Sequence, residues 1–416
     1  IGIGLKRTKY CEKSSAAVPM SRCVQCLGCI LRIVIFAHFA GAPKYGMVFG
    51  HYYLAREWVR AGHSVTIVAA SYAHTRFRQP EIAKEVIDGI NYSFVQTPAY
   101  RPEGRIGRAA NILTFSVWTR FCPRITQADV VICSSHHPFA IHASRACAKR
   151  TGARLVFEVR DLWPLTLVEL GGIRAKHPFI RAMQFSENYA YRTADTIVSV
   201  LPGAKSYMMD HGMAASKFVF IPNGVDLDSA QKSQPLDPQS VSLLDTLRVR
   251  GNFLVGYAGR IGLANALHTL IDAVALTNDP SVIAVILGDG SHRLSLQSQA
   301  ERLGLTSRVL FLDSVPKPQV GDFLARMDIT YLGLQAQPLF RFGVSPTKLN
   351  DYMLAAKPII YAVKAPGDVV AESGAGVSCE AESPSAVADA IKFLKEKQPN
   401  ELAAIGERGL TWIRQN

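Results

Sequence analysis

Residues 253–260 read Phe253-Leu254-Val255-Gly256-Tyr257-Ala258-Gly259-Arg260. The run Phe253–Tyr257 has the length and composition of a fully buried strand, and Ala258-Gly259-Arg260 turns the chain out of it. A small residue at such a turn lets a ligand approach the backbone, and an arginine there can grip a phosphate with two parallel N–H groups. The tract downstream alternates in the same way. A helix near Ala266–Ala275 is followed by Val282–Leu287, a helix near Ser295–Leu303, Val309–Leu312, a helix near Val320–Arg326, Ile329–Leu332, a helix near Lys348–Ala355, and Ile359–Val363. Short apolar runs separated by helices predict a parallel α/β sheet with both faces covered. In open sheets of this kind ligands sit beyond the carboxyl ends of the strands, where Arg260 falls.

The first half has the same pattern. Leu31–Phe36, a Gly/Pro-rich loop from Gly41 to Gly46 and a helical pattern over Tyr52–Ala61 open a second series. It continues through Ser64–Ala69, Asn91–Thr97, Val130–Cys133 with a helix to Arg150, Arg154–Val159 and Thr196–Val200. Pro222-Asn223-Gly224 breaks it, and Leu227–Ser240, polar and interrupted by Pro235 and Pro238, reads as a linker. One core usually organises roughly 100–200 residues, so 416 residues predict two domains. The expected layout is a lead over 1–30, a first Rossmann-like domain over 31–222, a linker and the start of the second domain over 223–250, a second Rossmann-like domain over 251–396, and a final helix over 397–416. That helix, apolar at Leu402, Ile405, Leu410 and Ile413, is expected to cross back and brace the first domain. The lead opens on Ile1 and holds Met20 as an internal candidate start, so it is expected to be disordered or to precede the true start.

Composition narrows the class. With 48% hydrophobic and 19% charged residues the chain is an ordinary globular one. The net charge of +13 is uneven: residues 1–222 carry 28 Lys and Arg against 13 Asp and Glu, and residues 223–416 carry 18 against 20. The basic half is suited to a polyanion, an anionic membrane surface or a phosphate-bearing partner. Its arginines are spread over strands and helices without a recognisable module, which argues against nucleic acid. The best apolar run, Cys26–Ala40, is short and cut by Arg32, so no membrane span and no signal peptide is read, and a cytoplasmic, soluble or peripheral protein is expected. Cys23, Cys26 and Cys29, with Cys11 upstream, have a spacing compatible with zinc or an iron–sulfur cluster, yet no further Cys or His group completes the set nearby, and the expectation is no metal.

Two further elements of the second half suit a phosphorylated ligand. Gly288-Asp289-Gly290 follows a strand and permits a tight turn against a flat ring. Ser345-Pro346-Thr347-Lys348 enters a helix, where free backbone N–H groups and the Lys348 ammonium form a diphosphate cradle, and Asp351 one turn on can accept from ribose hydroxyls. Each has an ordinary structural reading: Arg260 as a surface ion-pair residue, Ser345-Pro346-Thr347 as a plain helix cap, Asp351 as a solvated first-turn acid. Together, at successive strand ends of one half, they favour a ligand site. In the first half, Glu158, Arg160 and Asp161 end a strand and face the cleft, or else form an internal charge network around Trp163. Asp226-x-Asp228 lies in the linker and reads as structural rather than as a metal site.

These segments resemble the family-4 glycosyltransferases of the GT-B fold, over nearly everything from Leu31 onward. Ala258-Gly259-Arg260, Gly288-Asp289-Gly290 and Ser345-Pro346-x-Lys348-x2-Asp351-Tyr352-Met353-x4-Pro358 look like that family's donor-site segments. Ala40-Gly41-x-Pro43-x2-Gly46-Met47, His137-Pro138-Phe139, Phe157-Glu158-x-Arg160-Asp161-x-Trp163-Pro164 and Ile221-Pro222-Asn223-Gly224-Val225-Asp226 resemble a bacterial subgroup from O-antigen, capsule and colanic acid gene clusters, whose members are named as N-acetylglucosamine or N-acetylfucosamine transferases. Two departures stand out. The family's pair of glutamates eight apart falls on Gly343 and Asp351, and the lysine that commonly follows the phosphate-binding arginine is absent from Asn265 and Ala266, a charge that Lys348 is expected to replace.

The resemblance implies two Rossmann-like domains facing across a cleft. It also implies a retaining transfer with no cofactor and no required metal, from a nucleotide sugar, a UDP-N-acetylhexosamine first, to a lipid-linked or oligosaccharide acceptor. Departure of the diphosphate builds negative charge, which Arg260, Lys348 and the helix start would stabilise. His137 matches a family histidine close to the transferred sugar, whereas His136 has no such support, and Gly46 and Met47 sit where the backbone approaches donor or acceptor. Arg101, Arg105, Arg108, Arg120 and Arg124 flank the apolar stretch Ile112–Trp118, which would offer Phe115 and Trp118 to an anionic membrane at the inner face of the cell membrane; the ordinary alternative is a core helix with solvated ends. The rival functions are a sugar-nucleotide 2-epimerase, which needs acid/base groups but no acceptor groove, and a non-catalytic sugar-nucleotide binder.

Overall fold

Strands β9 (Phe253–Ala258) and β10 (Val282–Leu287) are buried at every residue, which is why they read as unbroken apolar runs. The computed structural model describes residues 30–46, 50–101, 104–121, 125–227 and 233–416. The lead with Cys23, Cys26 and Cys29, together with Met47, Arg124, Asp228 and the side chain of Arg105, lies outside the described residues.

The second domain is a six-stranded parallel sheet in the order β11-β10-β9-β12-β13-β14, with β11 Val309–Leu312, β12 Ile329–Gly333, β13 Ile359–Ala362 and β14 Gly376–Cys379. The first is an eight-stranded sheet in the order β3-β4-β2-β1-β5-β6-β7-β8. Its strands are β1 Arg32–Phe36, β2 Ser64–Ala70, β3 Lys84–Ile87, β4 Ile90–Val95, β5 Val130–Ser134, β6 Arg154–Val159, β7 Thr196–Ser199 and β8 Phe218–Phe220. All its pairs are parallel except the hairpin β3–β4 at one edge. The edge strands β3, β8 and β14 escape the sequence pattern because each is short and only partly buried.

Two expectations about the layout change. The tract read as a linker contains the start of the helix Pro238–Val249, capped by the Asp237 side chain accepting from Ser240 N–H; its Leu244 and Leu247 pack into the second-domain core. The C-terminal helix Pro399–Gln415 does not cross back to the first domain. It lies on the helix Thr347–Leu354, with Gly406 so close to the Ala356 carbonyl that a Cβ would stand 1.9 Å from it.

The domains are tied at the base of the cleft. Phe342, from the turn Pro338–Phe342 after β12, is buried in the first-domain core beside Tyr207, and its carbonyl accepts from Gly203 N–H at 2.8 Å. Arg341 donates to both oxygens of Glu169 at 2.8 and 2.7 Å, but the arginine is 49% exposed. Burying a phenylalanine stabilises by roughly 1.5–3 kcal/mol against about 1 kcal/mol or less for an exposed ion pair, so the ring is the stronger tie. Across the linker, Asn223 N–H donates to the Ser345 hydroxyl, Asn223 Nδ2 to the Ser345 carbonyl, and Arg56 pairs with Asp226 at 2.9 Å.

Candidate active site

Register builds the second-domain half of the site. Pairing Leu287 with Ala258 sets the turns after β9 and β10 side by side, with Gly259 N–H donating to Leu287 C=O at 2.9 Å. A Cβ on Gly288 would stand 2.0 Å from the Gly259 carbonyl, and one on Gly290 2.1 Å from that of Ile261; both have positive φ, so only glycine fits. Arg260 projects from this edge, exposed, while its carbonyl accepts from the Tyr257 hydroxyl at 2.6 Å and from Asn265 Nδ2 at 3.0 Å. Asp289 is exposed and folds back on Gly290 N–H at 2.7 Å.

Pro346 and Thr347 open the helix Thr347–Leu354, and the amides of Thr347 and Lys348 have no hydrogen-bond acceptor among the described residues. Lys348 crosses beneath Gly259, its Cε 2.6 Å from where a Cβ would stand, and its ammonium donates to Asn265 Oδ1 and, at 2.9 Å, to the Tyr257 hydroxyl. The lysine therefore brings its charge to Asn265, where the resembling family commonly has a lysine. Burial pushes the Lys348 ammonium down to about 8. Gly343 has φ +100, and a Cβ there would lie 2.4 Å from Pro202 of the first domain, so the contact between domains excludes the glutamate. Asp351 is paired with Lys317 at 2.5 Å; burial raises its carboxyl while Lys317 opposes the shift. The Ser345 hydroxyl accepts from Asn223 N–H at 3.1 Å, and the residue lines the space between the domains.

The first-domain half is a side-chain network. Pairing Ser134 with Glu158 across β5 and β6 puts both within 2.8 Å of His51 Nε2, near the start of the helix Gly50–Arg60. Burial alone would raise the Glu158 carboxyl, but His51 and Arg160 pull it well below the usual carboxylate range. Arg160 reaches Glu158 at 3.4 Å and Asn223 Oδ1 at 3.0 Å, so the charged strand end is both an internal network and a wall of the cleft.

The two adjacent histidines differ in burial and partners. His137, expected at the cleft, is 1% exposed and turned inward: its Nε2 meets His38 Nδ1 at 2.7 Å, and His38 Nε2 meets Asn111 Oδ1 at 2.6 Å. Burial pushes His137 down to about 3, so it is neutral. His136 is only partly buried, 5.7 Å from the His51 ring, in the field of Arg160 and Glu158. Phe115, expected at a membrane, is fully buried and stacked on His38; it faces the core because the helix Arg105–Trp118 lays Asn111, Ile112 and Phe115 inward. The exposed side instead carries Ile106, Leu113, Val117 and Trp118, with Phe121 just beyond. Arg120 is exposed and Arg108 lies over the Tyr100 ring at 5.9 Å.

His51, Asn223, Asn265, Tyr257 and Lys317 carry no site signal in the sequence, since isolated polar residues show no periodicity and the charged side chains they meet here lie 34–107 positions away. Gly46 ends the turn Pro43–Tyr45 with φ +97 against Phe77. Between the domains lies a cavity of about 270 Å³ bounded by Arg160 and Asp161 on one side and Gly343–Pro346 on the other. Among the described residues no group of three His, Cys, Asp or Glu side chains is arranged to hold a metal.

The chain matches two family models, Glycosyltransferase Family 4 over residues 46–229 and Glycosyl transferases group 1 over residues 245–412. It is 20% identical to the probable glycosyltransferase WbjE of Pseudomonas aeruginosa over 379 residues, covering 90% of this chain and 92% of that protein. It is 24% identical to the putative colanic acid biosynthesis glycosyl transferase WcaI of Escherichia coli K12 over 277 residues, 61% of this chain and 65% of the other. The crystal structure of Anabaena HepE in complex with UDP and glucose superposes with a TM-score of 0.61 at 20% identity, covering 92% of this chain and 95% of that one. With a family-4 domain matched in the first half, a group-1 domain in the second, and two Rossmann-like sheets meeting at their strand ends, the chain is a glycosyltransferase of the GT-B fold.

Proposed function

We propose that the protein moves an N-acetylhexosamine from a UDP-sugar to a lipid-linked or oligosaccharide acceptor in surface polysaccharide synthesis, with retention at the anomeric carbon. The observation that carries the donor side is the Lys348 ammonium held on Asn265 and Tyr257 beneath Gly259, beside Arg260 and the helix start at Thr347. These groups converge where a diphosphate leaving group, already an anion in the donor, gains a further negative charge, and a preorganised cation there lowers the barrier by stabilising the more highly charged departing group more than the bound donor. The departing phosphate then takes the acceptor's proton, so no carboxylate pair is required as general acid and base. Naming the nucleotide UDP draws on the HepE complexes, and the acetamido sugar on the resemblance.

The test is titration of UDP and UDP-N-acetylglucosamine into the wild type and Lys348→Ala. Removing a charge-assisted hydrogen bond is expected to weaken both by roughly tenfold to a hundredfold. Unchanged affinity would remove Lys348 from the site. Formation of an epimer from the nucleotide sugar without acceptor would favour the epimerase, and binding with neither transfer nor hydrolysis would favour a non-catalytic binder.

We further propose that the exposed stripe Ile106, Leu113, Val117, Trp118 and Phe121, with Arg120 beside it, rests on an anionic membrane at the cytoplasmic face. No helix of the described residues is long and apolar enough to cross a membrane, so the contact proposed is interfacial. Flotation with anionic liposomes but not with neutral ones is the expected result, and indifference to lipid charge would sink it.

A further inference from the structure

Three buried polar side chains form a chain of hydrogen bonds behind the first-domain wall. Pairing Phe36 with Cys133 sets the turns after β1 and β5 side by side, which brings His38 against His137, and the helix Arg105–Trp118 lays Asn111 against His38. All three are buried. Asn111 Nδ2 faces two carbonyls, Pro98 C=O at 2.8 Å and Tyr72 C=O at 3.4 Å. A carbonyl can only accept, so this end of the amide is the donor and Oδ1 is left to accept. The proton in the 2.6 Å contact with Oδ1 must then come from His38 Nε2.

No carboxylate bonds or pairs with His38 among the described residues. Burial, followed by His137, His136 and Arg76, holds it well below its ordinary range against the Asn111 hydrogen bond, which raises it. His38 is therefore neutral, its Nδ1 is bare, and the proton in the 2.7 Å contact between the rings belongs to His137 Nε2. His137, pushed down to about 3 by burial, is neutral too and carries that one proton only. Its Nδ1 is left as a bare acceptor, buried and with no partner among the described residues.

We propose that Asn111 and His38 are positioning residues that fix His137 in its Nε2–H form, so that Nδ1 only accepts, from a hydroxyl of the bound ligand, and His137 neither gives nor takes a proton during transfer. This role rests on the reading of the cleft as a nucleotide-sugar site. It goes past the resemblance, which sets a histidine near the sugar without deciding which nitrogen is protonated. Released from the chain, the ring would divide between two tautomers, and one of them would turn a donor toward the hydroxyl. A buried acceptor left unmet costs stability, so a ligand that supplies an O–H is favoured.

The test is long-range 15N–1H correlation on protein labelled with 15N at histidine, with His137→Gln assigning the His137 signals. In the free wild type, His38 and His137 are expected as Nε2–H rings that do not titrate between about pH 5.5 and 8. UDP-N-acetylglucosamine or UDP-glucose should move the His137 Nδ1 resonance in the direction of a hydrogen-bonded acceptor, and UDP alone should not. Asn111→Leu breaks the chain at one end, and His38→Phe breaks it while keeping a ring to stack on Phe115. In each, His137 should populate both tautomers, and affinity for the sugar nucleotide relative to UDP should fall by about twofold or more, in proportion to the fraction lost. Titration with UDP checks that both variants are folded. A proton on His137 Nδ1 in the wild type, or an unchanged tautomer in both variants, overturns the lock. A Nδ1 resonance that ignores a bound sugar nucleotide overturns the acceptor role. A wild type that binds neither UDP nor either sugar nucleotide refutes the reading of the cleft and the acceptor role together, while the spectra of the free protein still judge the lock.

Discussion

The two walls of the cleft are made differently. The second-domain wall is largely backbone: Gly288 and Gly290 press on the carbonyls of Gly259 and Ile261, and a helix start presents its amides, with Lys348 threaded under the turn. The first-domain wall is side chain on side chain: His51 on Ser134 and Glu158, Glu158 on Arg160, Arg160 on Asn223. A backbone wall tolerates loss of a side chain but not gain of one, and a side-chain wall behaves in the opposite way.

The sharpest way to break this contrast is to add one methyl group. Gly288→Ala forces a Cβ to within 2.0 Å of the Gly259 carbonyl, so a loss of about 3 kcal/mol or more and of UDP binding is expected, read by denaturant unfolding and calorimetry. Asp289→Ala one position along, an exposed side chain, should leave stability within about 0.5 kcal/mol. If both behave alike, the wall is not held by its backbone.

Next in size is the opposite operation on the first domain. Glu158→Gln keeps the shape and removes the charge that faces His51 and Arg160, so a destabilisation of about 3 kcal/mol is expected. Phe342→Ala tests the tie between the walls: a loss of about 3 kcal/mol and a larger radius of gyration by X-ray scattering are expected, while Arg341→Ala should cost about 1 kcal/mol or less.

A pH profile tests the Lys348 charge buried in the backbone wall. Lys348 is pushed down to about 8, so the free protein carries that charge below pH 8 and loses it above. UDP affinity is therefore expected to be level below pH 8 and to fall by up to about tenfold per unit above it, because binding must then take up a proton. A profile flat to pH 10 would show that Lys348 does not face the diphosphate.

A further pH-dependent effect lies outside the cleft. Glu187, buried and bonded to Tyr191, Tyr207 and Gln184, is raised by burial to about 8. Between its ordinary value of 4.5 and about 8 the folded form holds a proton that the unfolded chain has released, so stability falls as pH rises through that window. Glu187→Gln should raise Tm at pH 8 and change it little near pH 5.

The sequence by itself determined the two sheets and most of the donor wall. Buried parallel strands are continuous apolar runs, and a turn that admits only glycine must show glycine, so β9, β10 and Gly288-Asp289-Gly290 are visible one residue at a time. Only the tertiary structure decided the rest. That His137 turns onto His38, which face of the helix Arg105–Trp118 is buried, and why Gly343 stands where a glutamate was expected all depend on what packs opposite. Those opposing groups come from strands and turns far away in the chain, and neither spacing nor composition encodes the register that brings them together.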